Sequence, residues 1–246
     1  YVKSGQAIGK VIEYAGEAVE ALSIDERATM TNMAAEVGAF TGIVAPDAKT
    51  VDFLVARGLK RAEAERLCEG LFTDPDAQHD QVLEIDAGML DSMLALPGDP
   101  GNGIPIQELG RTKIEIAYGG SCTAGKKEDM DMYAKVLKEA VGAGKRVAPG
   151  VEFWLQFGSQ EVKRYCEEKG YLAIFEKAGA RVIEPSCGAC INAGPGVSRR
   201  PDQVTVSAIN RNFPGRSGPG QMYLASPYVV AASAIAGEIT AYRPKD

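Results

Sequence analysis

The stretch Lys113-Ile114-Glu115-Ile116-Ala117-Tyr118-Gly119-Gly120-Ser121-Cys122-Thr123 reads as a strand that runs into a glycine-rich turn carrying a cysteine. The same arrangement recurs downstream. A strand over 180–184 leads into Pro185-Ser186-Cys187-Gly188-Ala189-Cys190, and one over 204–209 leads into Asn210-Arg211-Asn212-Phe213-Pro214-Gly215-Arg216. Between them the apolar stripe Met130, Ala134, Leu137 and Val141 has helical spacing, followed by a strand over 151–157, a helix over 160–169 and an apolar-faced segment over 171–178. A strand near 223–225 and a closing helix behind Pro227 complete the series. Such alternation predicts an α/β fold, a parallel sheet flanked by helices on both faces. The carboxyl ends of parallel strands share one edge, where ligands bind in open α/β sheets, so the three loaded turns are expected to meet there.

Upstream, Ser23 followed three positions later by Glu26 forms a capping box that opens a helix over 24–37, closed by Gly38. Further helices are expected from behind Asp47 to near Gly58 and over 61–69, with short strands over 82–85 and 93–96. The run Pro97-Gly98-Asp99-Pro100-Gly101-Asn102-Gly103-Ile104-Pro105 is dense in turn formers and sets the expected domain boundary, giving domains 1–107 and 108–246.

Composition narrows the function class. With 45% hydrophobic and 24% charged residues in 246, the chain is neither disordered nor fibrous. A net charge of -6 gives no footprint for a nucleic-acid backbone, so nucleic acid is not expected as a partner. The longest mainly apolar stretch, 229–236, falls far below the ~18 residues of a membrane span. Five cysteines without an export signal fit a reducing compartment, cytoplasmic or organelle matrix. The chain opens on Tyr1 and a polar run over 4–10, which reads as the start of a fragment.

Cys187 and Cys190 stand in C-x-x-C spacing, and Cys122 can add a third thiolate from a neighbouring strand end. Alone, the pair fits a redox dithiol, a metal site or a chance spacing. A redox dithiol would leave Cys122 without a role, and zinc would lack a fourth ligand, since the single histidine, His79, lies in a polar loop outside the set. Three thiolates with an open position suit an iron-sulfur cluster whose free iron acts as a Lewis acid. Cys68 and Cys166 fall on helical apolar faces and read as small buried hydrophobes. Arg211 and Arg216 have the planar forks that bind carboxylates, and Asn32 and Glu36, spaced i, i+4, share one helix face.

In order and separation, Gly120-Ser121-Cys122-Thr123, Cys187-Gly188-Ala189-Cys190 and Asn210 through Arg216 resemble the aconitase superfamily. The segments 22–27, 31–39 and 45–47, and Ser226-Pro227 with the small-residue helix that follows, are similar to it as well. The resemblance implies an aconitase-like third domain with part of the preceding α/β domain. It further implies a [4Fe-4S] cluster on Cys122, Cys187 and Cys190 and a hydro-lyase that isomerises a hydroxy di- or tricarboxylic acid, of the citrate or isopropylmalate kind, by dehydration and rehydration. Arg211 and Arg216 would hold substrate carboxylate, Asn32, Asn210 and Ser121 would lie beside the cluster, and Glu36 would be the catalytic carboxylate. Ala124 departs from the asparagine common at that position. A histidine-aspartate pair from an earlier region and the serine of a swivelling domain, or of a separate small subunit, are missing partners on this reading. The alternatives are an iron-sensing or RNA-binding relative without catalysis, and the redox dithiol.

Overall fold

The computed structural model describes residues 5–244, so the expectation attached to the first four residues falls outside it in part. The chain forms two compact units, Gly5–Leu90 and the residues from Asp91 onward. The expected boundary after residue 107 lies inside the second unit, because the strands on either side of the Pro-Gly run pair with each other, Leu94 opposite Ile104.

In the first unit, β1 (Val11–Glu13) and β2 (Thr41–Ile43) make a parallel pair. Around them lie α1 (Glu17–Ala21), α2 (Ile24–Met33), α3 (Ala48–Ala56) and α4 (Arg61–Cys68). The capping box closes as expected: Glu26 N donates to Ser23 Oγ at 3.1 Å and Ser23 N to Glu26 Oε2 at 2.9 Å. The helix expected over 24–37 tightens instead into a 3-10 turn at Ala34–Val37, ended by Gly38 in the left-handed conformation. Residues 82–85 form no strand and are exposed, since no neighbouring strand among the described residues pairs with them. Arg27 is the unit's buried cation. It donates to Val19 O, to Glu20 O and, at 2.6 Å, to Asp47, the residue that caps α3.

The second unit is built on a seven-stranded sheet in the order β4-β3-β9-β8-β5-β6-β7. Its strands are β3 (Met93–Ala95), β4 (Gly103–Pro105), β5 (Ile116–Gly120), β6 (Glu152–Gln156), β7 (Arg181–Ile183), β8 (Val204–Ser207) and β9 (Gln221–Leu224). The run β9-β8-β5-β6-β7 is parallel throughout, and only β3 is reversed, pairing antiparallel with both β9 and β4. Its helices are α5 (Ser121–Ala124), α6 (Lys127–Gly142), α7 (Gln160–Glu168), α8 (Tyr171–Ala178) and α9 (Pro227–Ala236). The α/β architecture around a parallel sheet is therefore as expected, with strand and helix ends within a few residues of the sequence reading.

The two faces are covered differently. Ala117, Phe153, Leu155 and Val206 point into a core shared with α6 to α9. Tyr118, Trp154, Ile183, Met222 and Leu224, at the alternate positions, meet Ala189, Cys190, Val197 and Ile209 instead. On this second face the described contacts are with loops and a 3-10 turn at Gly188–Ile191. Handedness explains the separation. The crossovers from β5 to β6 to β7 move outward over the helical face, so right-handed returns from β7 to β8 and from β8 to β9 must run over the other. Those returns are rich in Pro and Gly, with Pro185, Gly188, Gly194, Pro195 and Gly196 in one and Pro214, Gly215, Gly218 and Pro219 in the other, which blocks helix propagation.

The hydrogen bond from Arg27 holds the Asp47 carboxyl below the usual aspartate range, partly opposed by desolvation. A depressed folded-state value contributes stability that is present above the ordinary range, about pH 4, and is lost as pH falls through the folded value. Acidification is expected to open residues 5–90 first, and Arg27→Leu to flatten that dependence, read as amide hydrogen exchange against pH.

Candidate active site

All three cysteine- or arginine-bearing turns leave the carboxyl ends of parallel strands. β5 runs directly into α5, β7 into the Cys187 turn, and β8 into Asn210. The β5 exit is tightly confined. Gly120 has φ +120, and a Cβ there would lie 2.0 Å from Gln156 O, so no side chain fits between the two strand ends. Ser121 follows with φ 67, a left-handed value that a non-glycine residue adopts at a cost of order 1 kcal/mol. The bend buries the Ser121 side chain and turns Cys122 outward, where it is exposed.

The second turn wraps Cys187 and Cys190 around a single 3-10 turn. Cys190 N donates to Cys187 O at 3.0 Å, and Ala193 N to Gly188 O at 3.1 Å. Cys187 is exposed and Cys190 buried. Burial pushes the Cys190 thiol up. The Ser121 hydroxyl draws it back, negative charge on Cys122 and Cys187 raises it, and the Arg216 guanidinium lowers it. The three cysteines, Ser121 and Arg216 thus act on one locus, although they come from three separate turns. Among the described residues no group of three or more His, Cys, Asp or Glu side chains is arranged to hold a metal ion. In a cubane each thiolate binds a different iron, so its three sulfurs stand further apart than the ligands of one ion.

The third turn is fastened to the sheet by Asn212, whose Nδ2 donates to Leu96 O at 2.7 Å and Met222 O at 3.0 Å. Arg216 N closes the loop on Phe213 O at 3.0 Å. Arg211 and Arg216 are half-buried, and Asn210 is buried. The Arg216 Nε is buried without a hydrogen-bond partner among the described residues. A buried donor left unpaired at such a locus is what an absent acceptor would satisfy.

Beneath the second turn lies a polar floor that sequence reasoning missed. Tyr118 Oη donates to Gln156 Oε1 at 2.5 Å, and Gln156 Nε2 donates to Ser186 Oγ at 2.5 Å. Burial, reinforced by charge on Cys190, pushes the Tyr118 hydroxyl up, so it stays protonated and remains a donor. The signal was available, since Gln156 interrupts the otherwise apolar run Phe153-Trp154-Leu155 and Phe157. Ser217, also missed, donates to Ala189 O at 2.5 Å and holds the turn from the other side.

Asn32 and Glu36 belong to the first unit. Asn32 is half-buried on α2, while Glu36 is buried on the 3-10 turn, so the change of helix type alters the ideal i, i+4 stacking expected of them. Cys166 is buried in the helical core, its thiol pushed up to about 12 mainly by desolvation, and Cys68 is half-buried. His79 is exposed and 3.4 Å from Glu13. No helix among the described residues is long and apolar enough to cross a membrane. Gly120→Ala combines left-handed strain with overlap of a backbone oxygen, and is expected to destabilise the second unit by about 3 kcal/mol or more, checked by urea unfolding followed at Trp154.

Comparison with known proteins bears on all of this. Residues 1–112 and 107–237 match the aconitase family (aconitate hydratase). The 3-isopropylmalate dehydratase large subunit 1 of Pyrococcus furiosus is 40% identical over 237 residues, covering 95% of this chain and 53% of that relative. The large subunits of Halothermothrix orenii and Desulfosudis oleivorans are 38% and 41% identical, each over 95% of this chain. The chain spans about half the length of the curated relatives it matches, 53% to 54%. With the family match covering nearly its whole length, the chain belongs to the aconitase family.

Proposed function

We propose that this chain is the cluster-bearing part of a hydro-lyase that dehydrates and rehydrates a hydroxy di- or tricarboxylic acid, with an isopropylmalate-type substrate the first candidate. The observation that carries the reading is that the turns bearing Cys122, the Cys187–Cys190 pair and Arg216 all leave the carboxyl edge of one parallel sheet. The donor set suits a [4Fe-4S] cluster. It is all sulfur, the turns that carry it contain no histidine, and the orphaned Arg216 Nε awaits an acceptor. The names of the relatives, large subunits of a dehydratase, support both the reaction class and a small-subunit partner.

On this reading Cys122, Cys187 and Cys190 hold the cluster, which when bound supplies an iron with an open position able to polarise a hydroxyl. The chain's own residues do the rest. Arg211 and Arg216 receive substrate carboxylate in a half-buried loop, where a charge-assisted pair is stronger than at an open surface. Asn212 keeps that loop seated, and Ser121 offers its hydroxyl beside Cys190. Asn210 keeps the hydrogen-bonding role, and Asn32 and Glu36 the donor and carboxylate roles, that the family resemblance gives them, Glu36 handling the proton of water.

Anaerobic reconstitution of the 246-residue chain is expected to retain about four iron and four sulfide per chain. Cys122→Ser is expected to lose them, while Cys68→Ser and Glu36→Gln keep them. Turnover of isopropylmalate by the isolated chain is not expected. Full iron retention in Cys122→Ser would contradict the three-thiolate reading, and a parent chain that retains no iron would leave the dithiol reading, in which that cysteine has no part.

A further inference from the structure

We infer that Tyr118 and Gln156 are positioning residues for the Cys187–Cys190 turn, a hydrogen-bonded platform on which Gly188 rests and which fixes the height of both thiols above the sheet. The inference rests on the cluster reading for its purpose, but its geometry is independent of it.

Both side chains are fully buried on the loop-covered face, from adjacent strands in register: Tyr118 lies opposite Trp154, and Gln156 two residues further along β6. A buried hydroxyl and amide are costly to desolvate, and here they are satisfied by each other and by the turn. Tyr118 donates to Gln156, which passes the contact on to Ser186, the residue before Cys187, and to Glu184 O at 3.4 Å. The contact from above is close. A Cβ on Gly188 would lie 2.8 Å from Tyr118 Oη and 2.9 Å from Gln156 Nε2, and one on Gly196 would lie 2.2 Å from the Tyr118 ring. The turn therefore touches the pair with bare backbone at both of its ends. Its upper side is held separately by Ser217 on Ala189 O. With the hydroxyl removed, Gln156 Oε1 loses its donor, the amide is free to rotate, and the bond to Ser186 that anchors the approach to Cys187 is released. Neither residue has a described hydrogen bond to a thiol, and their hydrogen bonds run to the turn that carries both cysteines. Outer contacts of this kind commonly alter metal affinity by 10- to 100-fold.

Tyr118→Phe keeps the ring against Gly196 and removes only the hydroxyl, and Gln156→Met keeps the volume. In the metal-free chain, iodoacetamide labelling read residue by residue by mass spectrometry is expected to quicken about tenfold at Cys190 in either variant. Cys187, already exposed, should label as in the parent, and Cys166 should stay protected as the internal reporter of global unfolding. In the reconstituted chain, iron loss to a ferrous chelator is expected to run about tenfold faster, with an altered electron paramagnetic resonance spectrum of the oxidised cluster. Unchanged Cys190 labelling and unchanged iron loss in both variants would overturn the inference. So would labelling of Cys166 in step with Cys190 in both, which would make the pair a support of the whole fold rather than of the turn. If the parent chain retains no iron while Cys190 still responds, the cluster reading fails and the platform stands.

Discussion

A strand-crossover-strand unit that keeps its right-handed sense passes over one face of a sheet when it travels outward and over the other when it returns. The rest of the second unit follows from that constraint. β5, β6 and β7 step outward under α6, α7 and α8, and the returns to β8 and β9 are left the opposite face. The returns carry Cys187, Cys190, Arg211 and Arg216. Residues far apart in the chain are thereby delivered to one face and one edge, next to the point where β5 ends in Cys122. Had the returning segments been strong helix formers, the face would have been sealed by a helical layer. Their proline and glycine content keeps them as loops, with backbone polar groups directed at one another and at side chains.

The two faces also divide the energetic work. The helical face is a large apolar cluster in which Phe153, Leu155, Leu137 and Phe175 are almost fully buried, and truncating any one of them would cost about 2–5 kcal/mol. The loop face relies more on polar contacts: Tyr118 with Gln156, Gln156 with Ser186, Ser217 with Ala189, and Asn212 with two carbonyls. Such contacts contribute modestly to net stability but are costly to leave unmade, so they specify one loop conformation more than they stabilise the fold. Strain is placed at the same edge, in the left-handed Ser121. A rigid apolar scaffold on one side supports a precisely folded, polar and partly strained surface on the other, an arrangement suited to holding reactive side chains at fixed positions.

Much of this was legible in the sequence, for identifiable reasons. The helices announced themselves through the capping box of Ser23 with Glu26, through Pro227 ahead of the last one, and through the stripe from Met130 to Val141. The strands of the parallel run stood out because buried strands are nearly continuous apolar segments. What escaped was what depends on partners distant in the chain. β4 sits inside a run dense in turn formers and exists only because β3 pairs with it. Residues 82–85 have strand composition and no strand beside them. The change from α-helix to 3-10 turn before Glu36 is set by the left-handed Gly38 and is invisible to a count of apolar spacings. At the site, the cysteines and arginines were readable from chemistry and resemblance, whereas Tyr118, Ser217 and Asn212 act through positions in space that no local pattern encodes.

The central claim is that three thiols from two strand exits surround one point at the carboxyl edge of the sheet. A crystal structure of the anaerobically reconstituted chain, with anomalous scattering recorded at the iron edge, tests it most directly. The account predicts one compact iron peak in contact with the sulfurs of Cys122, Cys187 and Cys190 together. Iron bound at Cys68 or Cys166, or a peak touching the C-x-x-C pair while Cys122 points elsewhere, would contradict it.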